Sequence, residues 1–176
     1  MRDPNHRWRN LFLFCLGVSV ATVFIMQWLE TDFWVNDEKF SMPGLELFYS
    51  KREIVTVLSQ IKQPAKTAFN YDLIFDFVFM AGIYPGIAAL CMMAREMRSR
   101  KTIQTALFAL AILQPVAWIF DVVGNCYLLK WIDKPVIGDE FGIYHNLVII
   151  KWVIPFAGLF LPITVFVFGS KRKERY

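Results

Sequence analysis

The chain has 176 residues, 56% hydrophobic, 16% aromatic and 19% charged, with a formal net charge of +4. A soluble domain carries about 45–50% apolar and about 25% charged residues, so composition excludes an ordinary water-soluble domain. The basic residues cluster in short segments beside apolar blocks, which points to anionic lipid and not to nucleic acid.

Residues 1–10 are polar and basic, with Arg2, Arg7 and Arg9, and Trp8 suits a headgroup anchor. A first apolar block, 11–29, carries Gly17, Ser19, Ala21 and Thr22 along its middle. Small residues let a second helix approach closely in lipid. The block is longer than a signal-peptide core, and no small-x-small site follows in MQWLETDFW, so it reads as a retained span. Trp28 and Trp34 bracket the outer interface.

The outer loop, 30–70, is too long for a mere connection. Met42-Pro43-Gly44 reads as a turn. From Ser50, the apolar residues Ile54, Val57, Leu58 and Ile61 follow the spacing i, i+3, i+4, i+7 of an amphipathic helix. Ser50 with Glu53 fits a capping box, and Gln63-Pro64 ends the helix. The apolar stripe either lies on the outer leaflet or caps the bundle; the short segment 62–67, which ties the helix close to the second span, favours the cap.

The second span, 71–94, carries Asp72 and Asp76 in its first turns and Tyr84-Pro85-Gly86 near its middle. Proline there removes a backbone bond and bends the helix, and Gly82 and Gly86 form a small-xxx-small face. A short basic turn with Arg95, Arg98, Arg100 and Lys101 makes the next span, 103–129, an antiparallel neighbour. That span holds Gln114-Pro115 and then Asp121 and Asn125, four apart on one face. Lys130 and Trp131 mark its outer interface. The last span, 144–168, begins near His145, a solvated interface residue, and carries Lys151, Pro155 and Pro162 before a basic tail of Lys171, Arg172, Lys173 and Arg175.

These blocks each supply the roughly 20 residues a helix needs to cross the hydrocarbon core. The reading is a single all-α membrane domain, 1–176: a four-transmembrane-helix antiparallel bundle with an extracytoplasmic amphipathic helix in its first loop. Three segments that share a side hold 11 of the 19 basic residues against the acids Asp3, Glu96 and Glu174. The positive-inside rule then puts both termini in the cytoplasm.

Depth follows from a rise of about 1.5 Å per residue. Asp76 lies about 8 Å, and Asp121 and Lys151 roughly 12 Å, from the outer ends of their spans. All three fall in the outer half of the bilayer. Scattered charges there would each cost about 2.5–3.5 kcal/mol. Gathered, Lys151 pairs with Asp121 or Asp76 while Asn125 donates a hydrogen bond. Tyr84 lies about 12 Å deeper than Asp76 and forms at most the floor of this layer. Asp72 is expected nearer the surface, as an interfacial group favoured by the positive end of its helix. A dry ion pair that merely fixes helix register is the bland alternative.

Cys15, Cys91 and Cys126 fall within spans and form no CxxC, so they read as packing residues. No HxxxH, ExxH or Cys/His cluster offers metal-ligand spacing. No Ser-His-Asp, P-loop or GxGxxG pattern appears, and no cofactor is implied.

Segment 75–84, FDFVFMAGIY, segment 118–131, WIFDVVGNCYLLKW, and the Lys151 span resemble a family of small bacterial four-span inner-membrane proteins with no assigned activity. GLEL at 44–47 and the amphipathic helix fit the same pattern. The resemblance covers about two-thirds of the chain and implies that Asp76, Tyr84, Asp121, Asn125 and Lys151 are its characteristic residues. Gly124 stands where that family usually has Glu.

Taken together, these features point to an integral membrane protein with an outer-leaflet polar pocket built from Asp76, Tyr84, Asp121, Asn125 and Lys151, with Asp72 beside it. The occupant is a membrane lipid, a small amphiphile, or a helix of a partner or second copy. The other readings are a membrane enzyme on a lipid-linked substrate, with Asp76 and Asp121 as acid and base and Lys151 on an anionic head, and a proton-coupled carrier.

Overall fold

The computed structural model describes residues 4–168, so Arg2 and the basic tail at 171–175 lie outside the described residues. The described chain runs α1 (Pro4–Leu29), β1 (Trp34–Val35), β2 (Glu38–Lys39), α2 (Lys51–Gln60), α3 (Gln63–Glu96), α4 (Lys101–Asp133) and α5 (Glu140–Phe168). A 3₁₀ turn at Glu30–Asp32 follows α1, and a π-helical turn at Gly44–Phe48 precedes α2. The helices α1, α3, α4 and α5 are long and apolar enough to cross a membrane, the mark of an integral membrane protein.

Each long helix turns one regular stripe inward. On α3 the buried residues include Phe69, Leu73, Asp76, Met80, Tyr84, Ile87, Cys91 and Ala94, in steps of three or four. On α4 they include Gln114, Ala117, Asp121, Gly124, Asn125 and Leu128, and on α5 they are Tyr144, Val148, Lys151, Gly158, Pro162 and Val165. Asp76, Asp121 and Lys151 therefore point inward for the same reason as the leucines around them: they fall on the core face of a 3.6-residue period.

The helices α3, α4 and α5 form the packed body, and α1 sits against α3. Small residues set that contact. A Cβ on Gly82 would lie 2.7 Å from Ser19 Oγ and 3.0 Å from the Cys15 carbonyl, and one on Gly86 would lie 3.1 Å from Cys15 Cβ. Cys15, Ser19 and Thr22 are the buried face of α1, whereas Phe14 and Phe24 turn outward. Further along, a Cβ on Gly158 would meet Gln114 Nε2 at 2.6 Å and Ile87 Cγ2 at 2.8 Å. Glycine is what lets α5 close on α3 and α4 there.

Several local expectations are corrected. Gln63-Pro64 does not end the loop helix but opens α3, where proline has no amide to leave unpaired. At 34 residues α3 is about 51 Å long, well beyond about 30 Å of hydrocarbon. Met42-Pro43-Gly44 leads into helical coil, and Tyr49 N donates to Gly44 O at 2.8 Å to close the π turn. The hairpin was not anticipated: Asn36 and Asp37 both take positive φ, 49° and 66°, the geometry of a tight I′-type turn. Trp131 is fully buried instead of marking an interface, and its ring meets Tyr144 edge-on at 4.8 Å.

The surplus helix length at one end carries a cap. Phe33, Phe40, Leu45, Ile54 and Leu58 from the loop form one continuous apolar cluster with Phe69, Leu128, Trp131, Tyr144 and Val148 from the bundle. Ser50 and Glu53 complete the capping box of α2, with Ser50 N donating to Glu53 Oε2 at 2.7 Å. Ile54 and Leu58 face inward, so α2 rests on the bundle.

Candidate functional site

Beneath the cap, Lys151 Nζ donates to Glu46 Oε1 at 2.7 Å and to Asp121 Oδ1 at 2.5 Å. Each carboxylate spends its other oxygen on a neutral donor. Tyr84 OH donates to Asp121 Oδ2 at 2.7 Å, and Trp152 Nε1 donates to Glu46 Oε2 at 3.0 Å. Lys151, Glu46, Asp121 and Tyr84 are all under 7% exposed. A buried ammonium is tolerable only when opposite charge and hydrogen bonds replace its water, and this arrangement replaces them on two sides. It also ties four separate pieces of chain together: the π turn, α3, α4 and α5.

A second unit lies alongside. Asn125 Nδ2 donates to Asp76 Oδ2 at 2.6 Å. Asn125 is one turn from Asp121 on the inward face of α4. Asp76 is 8% exposed, and its other oxygen has no hydrogen-bond partner among the described residues.

Both units border a cavity of about 370 Å³. Its polar end is formed by Glu46, Asp76, Tyr84, Asp121 and Lys151, with Glu30 at the cap side. Its walls are apolar: Val23 and Met26 from α1, Phe79, Ile83 and Ile87 from α3, and Pro155, Phe156 and Leu159 from α5. The cavity lies between α1 and α5, with α3 as its floor. Ligand pockets commonly span about 300–1,000 Å³ with a few convergent polar groups on apolar walls, and this one fits that description.

The sequence-selected residues are thus distributed as follows. Lys151, Asp121 and Tyr84 share one network, Asp76 and Asn125 share the other, and Asp72 joins neither. Asp72 is not at a helix N-terminus and not exposed: it is fully buried within the protein, with no hydrogen bond to either carboxyl oxygen. The reason is the extra turns of α3, which place Asp72 beneath the cap next to Phe69 and Leu73 instead of at the helix start. It is absent from the cavity lining.

Glu46 stands within the GLEL segment of the resemblance but was not singled out as a site residue. It is separated from Lys151 by 105 positions, and nothing in the spans calls for it. The available signal was local: an acid flanked by Leu45 and Leu47 just after a glycine, in a segment otherwise suited to burial. Trp152 was missed for a similar reason, since an aromatic near the middle of an apolar span looks like packing.

Among the described residues, no three His, Cys, Asp or Glu side chains converge to hold a metal ion. His145 stacks on Phe141 at 5.9 Å. No protein-family model, no curated protein and no solved structure matches the chain.

Proposed function

We propose that this integral membrane protein binds a lipid or small amphiphile in the cleft between α1 and α5. The observation that carries the reading is the polarity of the cavity itself: acid and lysine groups at one end, aliphatic and aromatic walls along the rest. An amphiphile has that same division. The body α3–α4–α5 is closed further along, where Gly158 packs against Gln114 and Ile87, and Ile87 and Leu159 belong to the apolar part of the cleft.

The basic turn around Arg98 and Arg100 lies at the end opposite the cap, which supports a cytoplasmic assignment for that end and for both termini. On this reading the cap and the polar end of the cleft belong to the outer leaflet. The family resemblance adds a bacterial inner membrane as the location.

The lysine is poorly placed to clamp an anionic head, because Glu46 and Asp121 already enclose it. That weighs against the lipid-modifying enzyme that would need Lys151 for this purpose. A helix from a partner or second copy is the competing occupant.

The test is native mass spectrometry of the protein released from a mild nonionic detergent. The expected result is a stoichiometric adduct of amphiphile mass that is lost in Ile83→Trp, a variant whose indole fills the cleft while its melting curve shows a folded protein. Wild-type protein that carries no adduct, or carries the same adducts as Ile83→Trp, would overturn the proposal. A purely dimeric species free of small adducts would favour the helix.

A further inference from the structure

Resting on the binding reading above, we propose that the amphiphile taken by the cleft carries a protonated amine head, held by Asp76. The first support is the inventory of charge around the cavity. Glu30, Glu46, Asp76 and Asp121 border it, and Lys151 is the single cation among its lining residues. The ammonium of Lys151 is committed to Glu46 and Asp121, whose remaining oxygens are committed to Trp152 and Tyr84. This network is closed on itself and has little to offer a ligand.

Asp76 differs. Asn125 occupies one of its oxygens from the α4 side. The other has no partner among the described residues, and the side chain, more than nine-tenths buried, borders the cavity. That oxygen is not sealed in the protein but open at the cavity wall, and a charge-assisted hydrogen bond to a carboxylate is among the stronger ones, so the position favours a ligand that donates. An amine head supplies both a donor and the charge that the surrounding acids lack. A carboxylate or phosphate head would bring a further negative charge among four acids and would find no free cation.

A bare metal ion answers the charge but not the coordination, because no three acid, His or Cys groups converge among the described residues. An ammonium needs fewer contacts, and aromatic faces supplement them. Phe79, Trp152 and Phe156 line the same cavity. The apolar wall from Ile83 to Ile87 and Leu159 continues away from Asp76 and would take the tail.

The experiment uses the full chain in nonionic maltoside micelles doped with equal mole fractions of dodecylamine, dodecanol or dodecanoate. Melting temperature and native-mass adducts are read for the wild type, Asp76→Asn, Asp76→Glu and Ile83→Trp. In the wild type, dodecylamine should give the largest upward shift and the most abundant adduct. Asp76→Asn keeps an acceptor for Asn125 but loses the charge, and its amine affinity should fall about tenfold or more. Asp76→Glu should retain the preference, and Ile83→Trp should respond to none of the probes. Equal wild-type responses to all three probes, lost in Ile83→Trp, would refute the amine head while leaving the cleft reading standing. No response to any probe would refute both. Should Asp76→Asn fail to accumulate, the ranking of the three probes on the wild type still decides the matter.

Discussion

Replacing Lys151 with Met keeps an unbranched side chain of similar length and removes only the charge. Glu46 and Asp121, each 6% exposed, then face one another with no ammonium between them. Removing one partner of a buried ion pair costs about 3–5 kcal/mol. For a chain of this size each kcal/mol moves the melting temperature by about 2–4 °C, so the variant should melt roughly 6–20 °C below wild type. Tryptophan fluorescence reports the transition directly, since Trp131 and Trp152 sit in the cap core and beside the ion pair. Glu46→Gln alone leaves Lys151 its bond to Asp121 and should cost less. The triple variant Lys151→Met, Glu46→Gln, Asp121→Asn removes the surviving charges as well and should recover most of the loss, because replacing a buried pair as a unit is often nearly neutral. A Lys151→Met variant that melts within about 2 °C of wild type, or a triple variant worse than the single one, would refute the argument that the three charges act as one buried unit.

Other consequences follow from the same contacts. Gly82→Ala places a methyl group 2.7 Å from Ser19 Oγ and 3.0 Å from the Cys15 carbonyl; overpacking of this kind costs about 1–3 kcal/mol. The melting temperature should fall, and adding Ser19→Gly should restore part but not all of it, because the carbonyl remains. Asp72→Asn removes the ionisable group from a fully buried side chain without hydrogen bonds, and melting should be unchanged or higher; a fall of more than about 5 °C would reveal a partner the structure does not contain. The Ser50 hydroxyl and backbone amide hold the Glu53 carboxyl below the ordinary value of 4.5. A depressed acid contributes stability above its ordinary range and loses it as pH falls through the lowered value. Amide protection in the first turn of α2 should therefore decline in acid, and the decline should be absent in Glu53→Gln.

The four long helices were legible because hydropathy at this length leaves few alternatives in the spans. The inward turn of Asp76, Asp121 and Lys151 was legible for a related reason, since each lies on the stripe that also carries Leu73, Leu128 and Val148. What escaped was non-local. Glu46 reaches Lys151 only because the loop folds back over the bundle, and no periodicity within 30–70 encodes that return. Asp72 was misjudged because its depth was counted from where the apolar run begins. The helix begins earlier, at Gln63, and the polar turns from Lys66 to Asn70 stay helical because the cap packs on Phe69 and Ala68. The hairpin hung on the residue pair Asn36-Asp37, too short a signal beside strands of two residues each.

The cleft between α1 and α5 as an amphiphile site is tested most directly by photolabelling in membranes. A long-chain diazirine probe would be bound, activated and mapped by peptide mass spectrometry. Saturable labelling should concentrate on Phe79, Ile83 and Leu159, be competed by unlabelled probe, and disappear from α3 in Ile83→Trp. Labelling that rises without saturation and spreads over the outward residues Phe14, Phe24 and Phe160 would contradict the account.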